Sequence, residues 1–524
     1  MKRIVGITLL LLCCVLSVFA SGKTEKATPV QEVTQDSKYG GRITIAMDQD
    51  IVTLNNFDSR ANADALCQLA CLETLFRYGS DGTPEPYLVE SYEENPEQLT
   101  FVFNLRKGIK FHDGSDFNAD VVAWHLNTYK ETGIYGKSFL GLMDYAEPVD
   151  DYTVVVHMSS WDSVFLYCLC RNAGLVSSKL AYETNGRDSL VDHVVGTGPF
   201  KVASRDPGVS MSFDRFDDYW QGKPYLDGID YVVYKEALVA QAAMEAGEID
   251  AMSTYSFDQS DELEAEGFTI IYQELPSSCY TIAFNSVNPG DPFCDQRVRQ
   301  AVGYALDNEA ILEALFGKHA IVTNQYGDPS SAFYSDRVET IPYDIEKAKQ
   351  LLAEAGYPNG FSTQVVTTVT NSMPMLQELG VVIAEQLSKI GINVTVNNLD
   401  IAGFTGVIGD WNYGMILHTM GMSNGAGSQI SSNFKQGITS GIGAKCIKKS
   451  DKLNEIILAA NNASGEESYK LFQDAQYQIF TEENLIYAIG LIFKTTAVSP
   501  KLHDSNLMAR SAYAADLWQA WIEK

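Results

Sequence analysis

The sequence has few positive charges and no block of them. It holds 38 lysines and arginines against 67 aspartates and glutamates, which gives a formal net charge of −29. A nucleic-acid-binding protein needs a basic patch to neutralise phosphates, and no such patch occurs in this sequence. We therefore expect no nucleic-acid partner, and we interpret the acidic surface as favouring solubility.

Long apolar runs are absent after the first twenty residues, since no later run reaches the ~18 apolar residues of a membrane-spanning helix. The N-terminus has the pattern of an export signal, with Lys2 and Arg3 ahead of a short apolar stretch at residues 4–16. Residues 18–20, VFA, fit the positions that signal peptidase reads. We predict a signal peptide over residues 1–20 and a periplasmic or extracellular protein.

Cysteines are few, and two of the nine lie in the predicted signal peptide. Cys13 and Cys14 leave open a lipid-anchored form, although neither follows the small residue expected before a lipidated cysteine. The other seven are an odd number, so at least one thiol is unpaired, and their pairing stays open. We interpret Cys67 and Cys71, on a predicted helix, as buried side chains, because zinc would need two more ligands nearby.

Metalloprotease signatures are missing as well. The sequence contains no His-Glu-x-x-His, and its seven histidines are scattered without paired spacing. Only His418 is expected near a binding site, and a single histidine is more often structural. We expect a protein that is not an enzyme and that carries no metal or cofactor; a secreted hydrolase is the less favoured alternative.

Strands and helices mix without a repeat, which predicts an α/β or mixed α+β fold. A polar tether is predicted over residues 21–40, followed by a strand with alternating β-branched residues at 41–47. The clearest later elements are helices at 296–316, 344–354 and 375–390 and a buried strand at 486–492.

The most informative segment is FVFNLRKGIKFHDG, at residues 101–114. It predicts two strands that meet at Lys107-Gly108, a tight turn at Asp113-Gly114, and an amphipathic helix that starts within residues 116–120. Further blocks follow in order: VGTGPF at 195–200, RFDDYW at 215–220 with GKPYLDGI at 222–229, AAMEAGEID at 242–250, FN at 284–285 with RVRQAV at 297–302 and YALDN at 304–308, and the segment 343–357.

Together these six ordered blocks resemble the large extracytoplasmic solute-binding proteins of family 5, which deliver peptides, nickel or oligosaccharides to ABC importers. The resemblance implies two lobes with a ligand cleft between them. The first lobe would combine residues 41–73, 197–283 and 494–524 with an inserted subdomain at 74–196, and the second would hold residues 284–493. Hinges are expected at residues 282–285 and 493–496.

The same resemblance implies a monomer that captures a small solute and passes it to a permease with ATPase subunits. A sensory receptor for chemotaxis or signalling is an alternative that the sequence leaves open. Nickel is disfavoured because the histidines are not paired.

Several block residues also have a plain structural interpretation. We expect a backbone crossing at Gly198-Pro199, core packing by Tyr219 and Trp220, a helix cap at Asp344, and local pairing of Arg297 and Arg299.

The identity of the solute depends on one loop. In peptide-binding members of the family, an aspartate after a strand captures the amine of the ligand. Here Met422 stands at that position, and no acid occurs between Trp411 and Asp451. The Thr, Ser and Asn residues there suit sugar hydroxyls or a flexible loop, so peptide and oligosaccharide both stay open. The candidate solute-binding residues are Arg60, Asn62, Tyr280, Asn285, Thr419, Met422 and Asn424.

Overall fold

The computed structural model describes residues 35–59, 62–254, 256–368, 375–400, 403–404, 406–407, 413–421, 425–438, 446–507 and 517–524. Residues Lys38–Lys524 form one compact unit. The predicted signal peptide lies outside the described residues. Within the predicted tether, a short 3₁₀ helix spans Gln35–Lys38.

The strands in the first half of the described chain belong to several sheets. They are β1 (Arg42–Met47), β2 (Glu73–Thr74), β3 (Phe76–Tyr78), β4 (Pro84–Pro86), β5 (Val89–Asn95), β6 (Thr100–Leu105), β7 (Met143–Asp150), β8 (Thr153–Met158), β9 (Leu175–Val176), β10 (Phe200–Asp206), β11 (Ser210–Arg215), β12 (Gly228–Val233), β13 (Ala251–Ser253) and β14 (Thr269–Tyr272).

The remaining strands include the most apolar ones. They are β15 (Ser278–Phe284), β16 (Ala320–Val322), β17 (Phe361–Thr368), β18 (Ile392–Leu399), β19 (Met415–Gly421), β20 (Ile486–Ile492), β21 (Thr495–Val498), β22 (Leu502–His503) and β23 (Trp521–Ile522).

The helices lie between these strands and cover the sheets. They are α1 (Asn62–Cys71), α2 (Ala119–Thr132), α3 (Gly136–Phe139), α4 (Phe165–Leu169), α5 (Lys179–Asn185), α6 (Ala237–Glu245), α7 (Phe257–Ala265), α8 (Gln296–Ala305), α9 (Asn308–Phe316), α10 (Ile345–Glu354), α11 (Leu376–Ser388), α12 (Gly425–Phe434), α13 (Asp451–Asn462) and α14 (Gly465–Tyr477). A π-helical turn, Gln478–Glu482, follows the last of them.

Three sheets carry most of the fold. A seven-stranded sheet has the order β10-β11-β12-β1-β13-β21-β14, and a six-stranded sheet has the order β16-β20-β15-β19-β17-β18. A four-stranded antiparallel sheet, β5-β6-β8-β7, is built only from residues 89–158. Along the described chain, the strands therefore pass from the seven-stranded to the six-stranded sheet once, at β14–β15, and return once, at β20–β21.

The predicted lobe boundaries stay a prediction, but the sheets give them a physical basis. The four-stranded sheet lies within the predicted inserted subdomain, residues 74–196. Strand β15 hydrogen bonds to β19 and β20 in the six-stranded sheet, whereas the predicted division assigned residues up to 283 to the first lobe. A boundary near residues 273–277 follows the hydrogen bonding better.

Two predicted elements differ in the structure. The single helix predicted over residues 296–316 is wrong: it is two helices, α8 and α9, because the Asp307 side chain accepts a hydrogen bond from the Ala310 amide and begins a new helix. The predicted second strand after Lys107 is also wrong, since that stretch has only an isolated bridge between Lys110 and Asp116. The strand predicted at 486–492 is confirmed as β20, and Asp344 caps α10 as predicted.

Glu73 links the seven-stranded sheet region to the inserted segment. Its carboxylate is 3% exposed and accepts hydrogen bonds from the Tyr219 hydroxyl at 2.7 Å, the Thr197 hydroxyl at 2.7 Å, the Tyr87 hydroxyl at 2.9 Å and the Trp220 indole at 3.0 Å. Burial raises the pKa of Glu73, while these donors favour its charged form. The predicted core role of Tyr219 and Trp220 is confirmed, with this buried acid as their partner.

The backbone crossing predicted at Gly198-Pro199 is a close approach of two chains. The Gly198 amide donates to the Cys71 carbonyl at 3.0 Å, and a Cβ at Gly198 would lie 2.7 Å from the Cys71 carbonyl carbon. A side chain there would force the two segments apart, which explains the glycine. The His112 ring nitrogen Nε2 pairs with the Gly198 carbonyl at 2.9 Å, and burial lowers the pKa of His112 to about 4.

Candidate functional site

The two connections between the large sheets run side by side. The Gln273 amide donates to the Lys494 carbonyl at 3.0 Å, and the Ser277 amide donates to the Ile492 carbonyl at 2.9 Å. Residues 273–277 and 493–494 thus form one paired crossing between the seven-stranded and the six-stranded sheet. We call these two segments the crossing.

The register of the crossing places two polar side chains on one face. Tyr272 pairs with Thr495 and Ile271 with Thr496, so Gln273 stands opposite Lys494 as the next pair. Residues directly opposite in an antiparallel pair project to the same side. The Gln273 and Lys494 side chains therefore share the face of Ile271.

That face of the seven-stranded sheet packs against α1. Ile271 packs on the same large core cluster as Met47, and the Cys67 thiol of α1 lies 3.5 Å from the Met47 sulfur. The crossing pair consequently lies on the α1 side of the sheet.

Lys494 is exposed as a residue. Partial burial of its ammonium group lowers the pKa of Lys494 below its usual value, and the charge of Asp48, just after β1, acts in the opposite direction. No ion pair of Lys494 occurs within the described ranges.

Gln273 is the second polar group of the pair. Its side chain is 6% exposed, and its Nε2 has no hydrogen-bond partner among the described residues. A buried amide donor without an acceptor costs free energy unless water or a ligand satisfies it.

The six-stranded sheet presents two different faces at β15 and β19. Tyr280, Ile282 and Leu417 belong to a core cluster with α8, α9 and α11. The opposite face carries Cys279, buried in the large core cluster, and His418.

His418 lies where the sequence predicted a residue near the cleft. Its ring stacks on Phe404 with centroids 5.9 Å apart, and burial lowers its pKa to about 4. Its Nδ1 has no partner in the part of the chain that the structure describes. The ring is therefore neutral at physiological pH and offers one free polar nitrogen.

Three of the predicted site residues can be placed with their side chains. Tyr280 is 1% exposed and packs edge-on against Phe316 at 5.2 Å, which favours a packing role. Thr419 is the register partner of Tyr280 and lies on the same face. Asn285 is buried, with Nδ2 donating to the Tyr413 carbonyl at 2.9 Å, so part of its amide serves the fold.

The other predicted site residues are not described to the same extent. Arg60, Met422 and Asn424 lie outside the described residues, and Asn62 begins α1 without a described side chain. Their roles stay predictions. Of the predicted set, the structure brings Tyr280 and Thr419 together.

Arg297 and Arg299 have local partners, as predicted. Arg297 pairs with Asp295 at 2.6 Å. The Arg299 guanidinium is buried, its pKa is lowered by that burial to about 10, and it donates to backbone carbonyls, among them those of Phe293 at 2.6 Å and Asn484 at 2.7 Å. Arg299 is therefore occupied within the fold, and Arg297 forms an exposed local pair.

The inserted segment contacts the connections between strands of the six-stranded sheet. The Trp161 indole donates to the Ala463 carbonyl at 2.9 Å, and the Ser163 amide donates to the Asn461 carbonyl at 3.1 Å. Tyr167 and Phe333 pack with ring centroids 5.8 Å apart. These contacts join residues from both sides of the predicted cleft.

The sequence analysis missed Gln273 and Lys494 as site residues, although it named residues 493–496 as a hinge. A lysine two residues after the buried strand β20 was the available signal. No described group of three or more His, Cys, Asp or Glu side chains is arranged to hold a metal. Among the described helices, none combines the length and hydropathy of a membrane span.

Residues 83–440 match the family of bacterial extracellular solute-binding proteins, family 5 Middle. The chain belongs to this family. The predicted resemblance is thereby confirmed, and members of this family are solute-binding proteins of the periplasm or the extracellular space.

Curated relatives agree with this assignment. The chain is 31% identical over 342 residues to Heme-binding protein A of Haemophilus influenzae, covering 60% of this chain and 62% of that protein. It is 29% identical over 360 residues to the Glutathione-binding protein GsiB of Pectobacterium atrosepticum, covering 68% of this chain and 69% of that protein. The alignment thus spans less than two thirds of the first of these relatives.

Solved structures confirm the predicted fold class, a mixed α/β fold of the two-lobed periplasmic-binding-protein type. HbpA2 from Haemophilus parasuis superposes with a TM-score of 0.81 at 20% identity, covering 92% of this chain and 100% of that one. The ABC transporter substrate-binding protein CtaP of Listeria monocytogenes gives a TM-score of 0.82 at 22% identity, covering 93% and 100%. At these identities the likeness concerns the fold.

Proposed function

We propose that this protein captures a small solute between two lobes and delivers it to an ABC permease with ATPase subunits. The observation that carries the proposal is the crossing: the described strands pass between the two large sheets only at residues 273–277 and 493–494, and these segments lie side by side. Two bodies joined by one narrow paired connection are suited to hinge closure around a ligand.

Each lobe is built around one of the two large sheets. The first lobe holds the seven-stranded sheet with the inserted four-stranded sheet, and the second holds the six-stranded sheet with α8–α14. The contacts of Trp161 and Ser163 with residues 461–463 join the lobes away from the crossing. They support a closed arrangement, which a solute would favour through its own contacts with both lobes.

The solute is a peptide or an oligosaccharide. Peptides are supported by the relatives, because GsiB is named for glutathione, and the binding protein AppA from Bacillus subtilis was solved with a nonapeptide. Oligosaccharides are supported by the neutral polar composition of residues 418–429. In either case the protein binds without transforming its ligand, so it is not an enzyme, and it acts as a monomer.

Export completes the proposal. Residues 1–20 act as a signal peptide, and Cys13 or Cys14 would carry a lipid in an anchored form. A neighbouring permease gene would support transport over the sensory alternative.

The test combines ligand-induced stabilisation with small-angle X-ray scattering on protein lacking residues 1–20. After unfolding and refolding to remove carried solute, di- to pentapeptides and α- and β-linked oligosaccharides are compared. A ligand at ~100 times its dissociation constant adds about 2.7 kcal/mol to the free energy of unfolding, which raises the thermal midpoint.

The stabilising ligand should also reduce the radius of gyration, because closure brings the lobes together. As a control, Trp161→Phe keeps the ring that stacks on Phe101 but removes the indole donor to Ala463. This variant should have a larger radius without ligand than the wild type. An unchanged radius at saturating ligand contradicts the hinge proposal.

A further inference from the structure

Gln273 and Lys494 are two hydrogen-bond donors on one face of the crossing, opposite each other in register. Gln273 offers a buried amide N–H without a partner among the described residues. Lys494 is an exposed residue whose ammonium group forms no ion pair among the described residues. The two segments that carry them belong to the only described strand connections between the large sheets.

The buried amide requires an acceptor, because an unpaired buried donor loses a hydrogen bond. Partial burial also disfavours the charged form of Lys494, and an anionic acceptor offsets that cost. A carbonyl oxygen or a sugar hydroxyl satisfies the amide but leaves the ammonium without a counter-charge. A carboxylate satisfies both, because it carries the charge and has two acceptor oxygens.

We propose that Lys494 and Gln273 bind a carboxylate of the captured solute at the crossing. This inference rests on the proposed function and makes it more specific: the ligand is an acidic solute, such as a peptide with a free C-terminus or a sugar acid. The location is suited to coupling, since a ligand group held at the hinge contacts the segment around which the lobes close.

Asp48 is the acid whose charge acts on Lys494. It lies directly after β1, is exposed, and forms no ion pair with Lys494 in the described structure. If Lys494 served only as the counter-charge of Asp48, removal of either side chain would have the same consequence. If Lys494 binds a solute carboxylate, removal of Asp48 relieves a repulsion and leaves affinity unchanged or higher.

The experiment is isothermal titration of the refolded protein with matched probe pairs. Each di- to pentapeptide is used as the free acid and as the C-terminal amide, and cellobionate is compared with cellobiose. Glucose 6-phosphate is included because a phosphate offers the same anionic oxygens. We expect the wild type to prefer the carboxylate member of a pair by ~10-fold or more, and glucose 6-phosphate to bind no better than glucose.

Variants assign this preference to residues. Lys494→Met should abolish the difference between acid and amide, and Gln273→Leu should reduce it by a smaller factor. Lys501→Met removes an exposed lysine and should leave the preference intact. Asp48→Asn should preserve or increase it. The thermal midpoint of each ligand-free variant verifies that it is folded.

The outcomes separate this inference from the proposed function. If the wild type binds acid and amide equally, the carboxylate site is wrong and solute capture stands. The same conclusion follows if Lys494→Met behaves as Lys501→Met does, or if glucose 6-phosphate is preferred over the carboxylates. If no probe binds, the proposed capture of peptides and oligosaccharides fails, and the carboxylate site fails with it.

Discussion

Burial disfavours the charged form of both Glu73 and Lys494, but their charges meet different surroundings. Glu73 is 3% exposed, and its two oxygens accept hydrogen bonds from four side chains. Lys494 retains exposed surface and has neither an ion pair nor a side-chain hydrogen bond among the described residues. Donors from the protein satisfy the Glu73 carboxylate, whereas no described group pairs with the Lys494 ammonium.

This difference distinguishes a charge that is paired within the fold from a charge that can pair with a ligand. The donors around Glu73 come from segments far apart in the chain, so the carboxylate ties them together and has no capacity left for a ligand. Lys494 stabilises nothing visible in the ligand-free fold. The partial burial of its charge costs free energy that a bound anion would offset.

The largest expected effect is on Glu73. Glu73→Ala leaves the hydroxyls of Thr197 and Tyr219 and the indole of Trp220 without their buried acceptor, so we expect a loss of about 3–5 kcal/mol in the free energy of unfolding. Urea denaturation followed by tryptophan fluorescence measures it.

The matched control for Glu73 is Glu90→Ala, which removes an exposed carboxylate from β5 and should change stability by less than about 0.5 kcal/mol. Equal effects of the two substitutions would mean that the hydrogen bonds of Glu73 add no stability, and the contrast with Lys494 would lose its basis.

Arg299 extends the comparison to a cation whose hydrogen-bond donors already have partners in the protein. Arg299→Lys keeps the charge but loses the planar guanidinium that reaches the carbonyls of Phe293, Glu483 and Asn484 at once. We expect a loss of about 1–3 kcal/mol in unfolding free energy. Arg297→Lys, at an exposed pair with Asp295, should cost less than about 0.5 kcal/mol. If both substitutions change the free energy of unfolding only slightly, the paired donors of Arg299 are not a source of stability.

Much of the fold was predictable from the sequence because local signals agreed with it. Asp344 precedes a helix and caps it, and the apolar run at residues 486–492 is a central strand. The division of α8 from α9 was missed because the apolar periodicity continues across both helices. Asp307, which ends the first helix and caps the second, was the signal against one long helix.

The candidate site was less predictable, for two physical reasons. The strand SCYTIAF at residues 278–284 has no alternation of apolar and polar residues, so its composition does not reveal which face Tyr280 takes, and a bulge between Tyr280 and Thr281 shifts the pairing with β20. Gln273 and Lys494 are distant in sequence, and only the pairing of the crossing brings them together. Their lack of partners is likewise a property of the folded chain.

The smallest expected effect is a gain in the free energy of unfolding, whereas the preceding substitutions lower it. Lys494→Met should stabilise the ligand-free protein at pH 7 by about a few tenths of a kcal/mol, because it removes an unpaired charge that burial disfavours, and solvent exposure limits the cost. Burial lowers the pKa of Lys494, so the unfolded chain binds that proton more readily than the folded one. The cost is therefore present at neutral pH and disappears as the pH rises through the usual lysine pKa of about 10.4.

Urea denaturation of wild type, Lys494→Met and the control Lys501→Met, at pH 7 and again near pH 10, measures this difference in stability. A Lys494→Met protein that is less stable than the wild type at pH 7 would mean that Lys494 already has a partner in the ligand-free fold, and the distinction from Glu73 would fail.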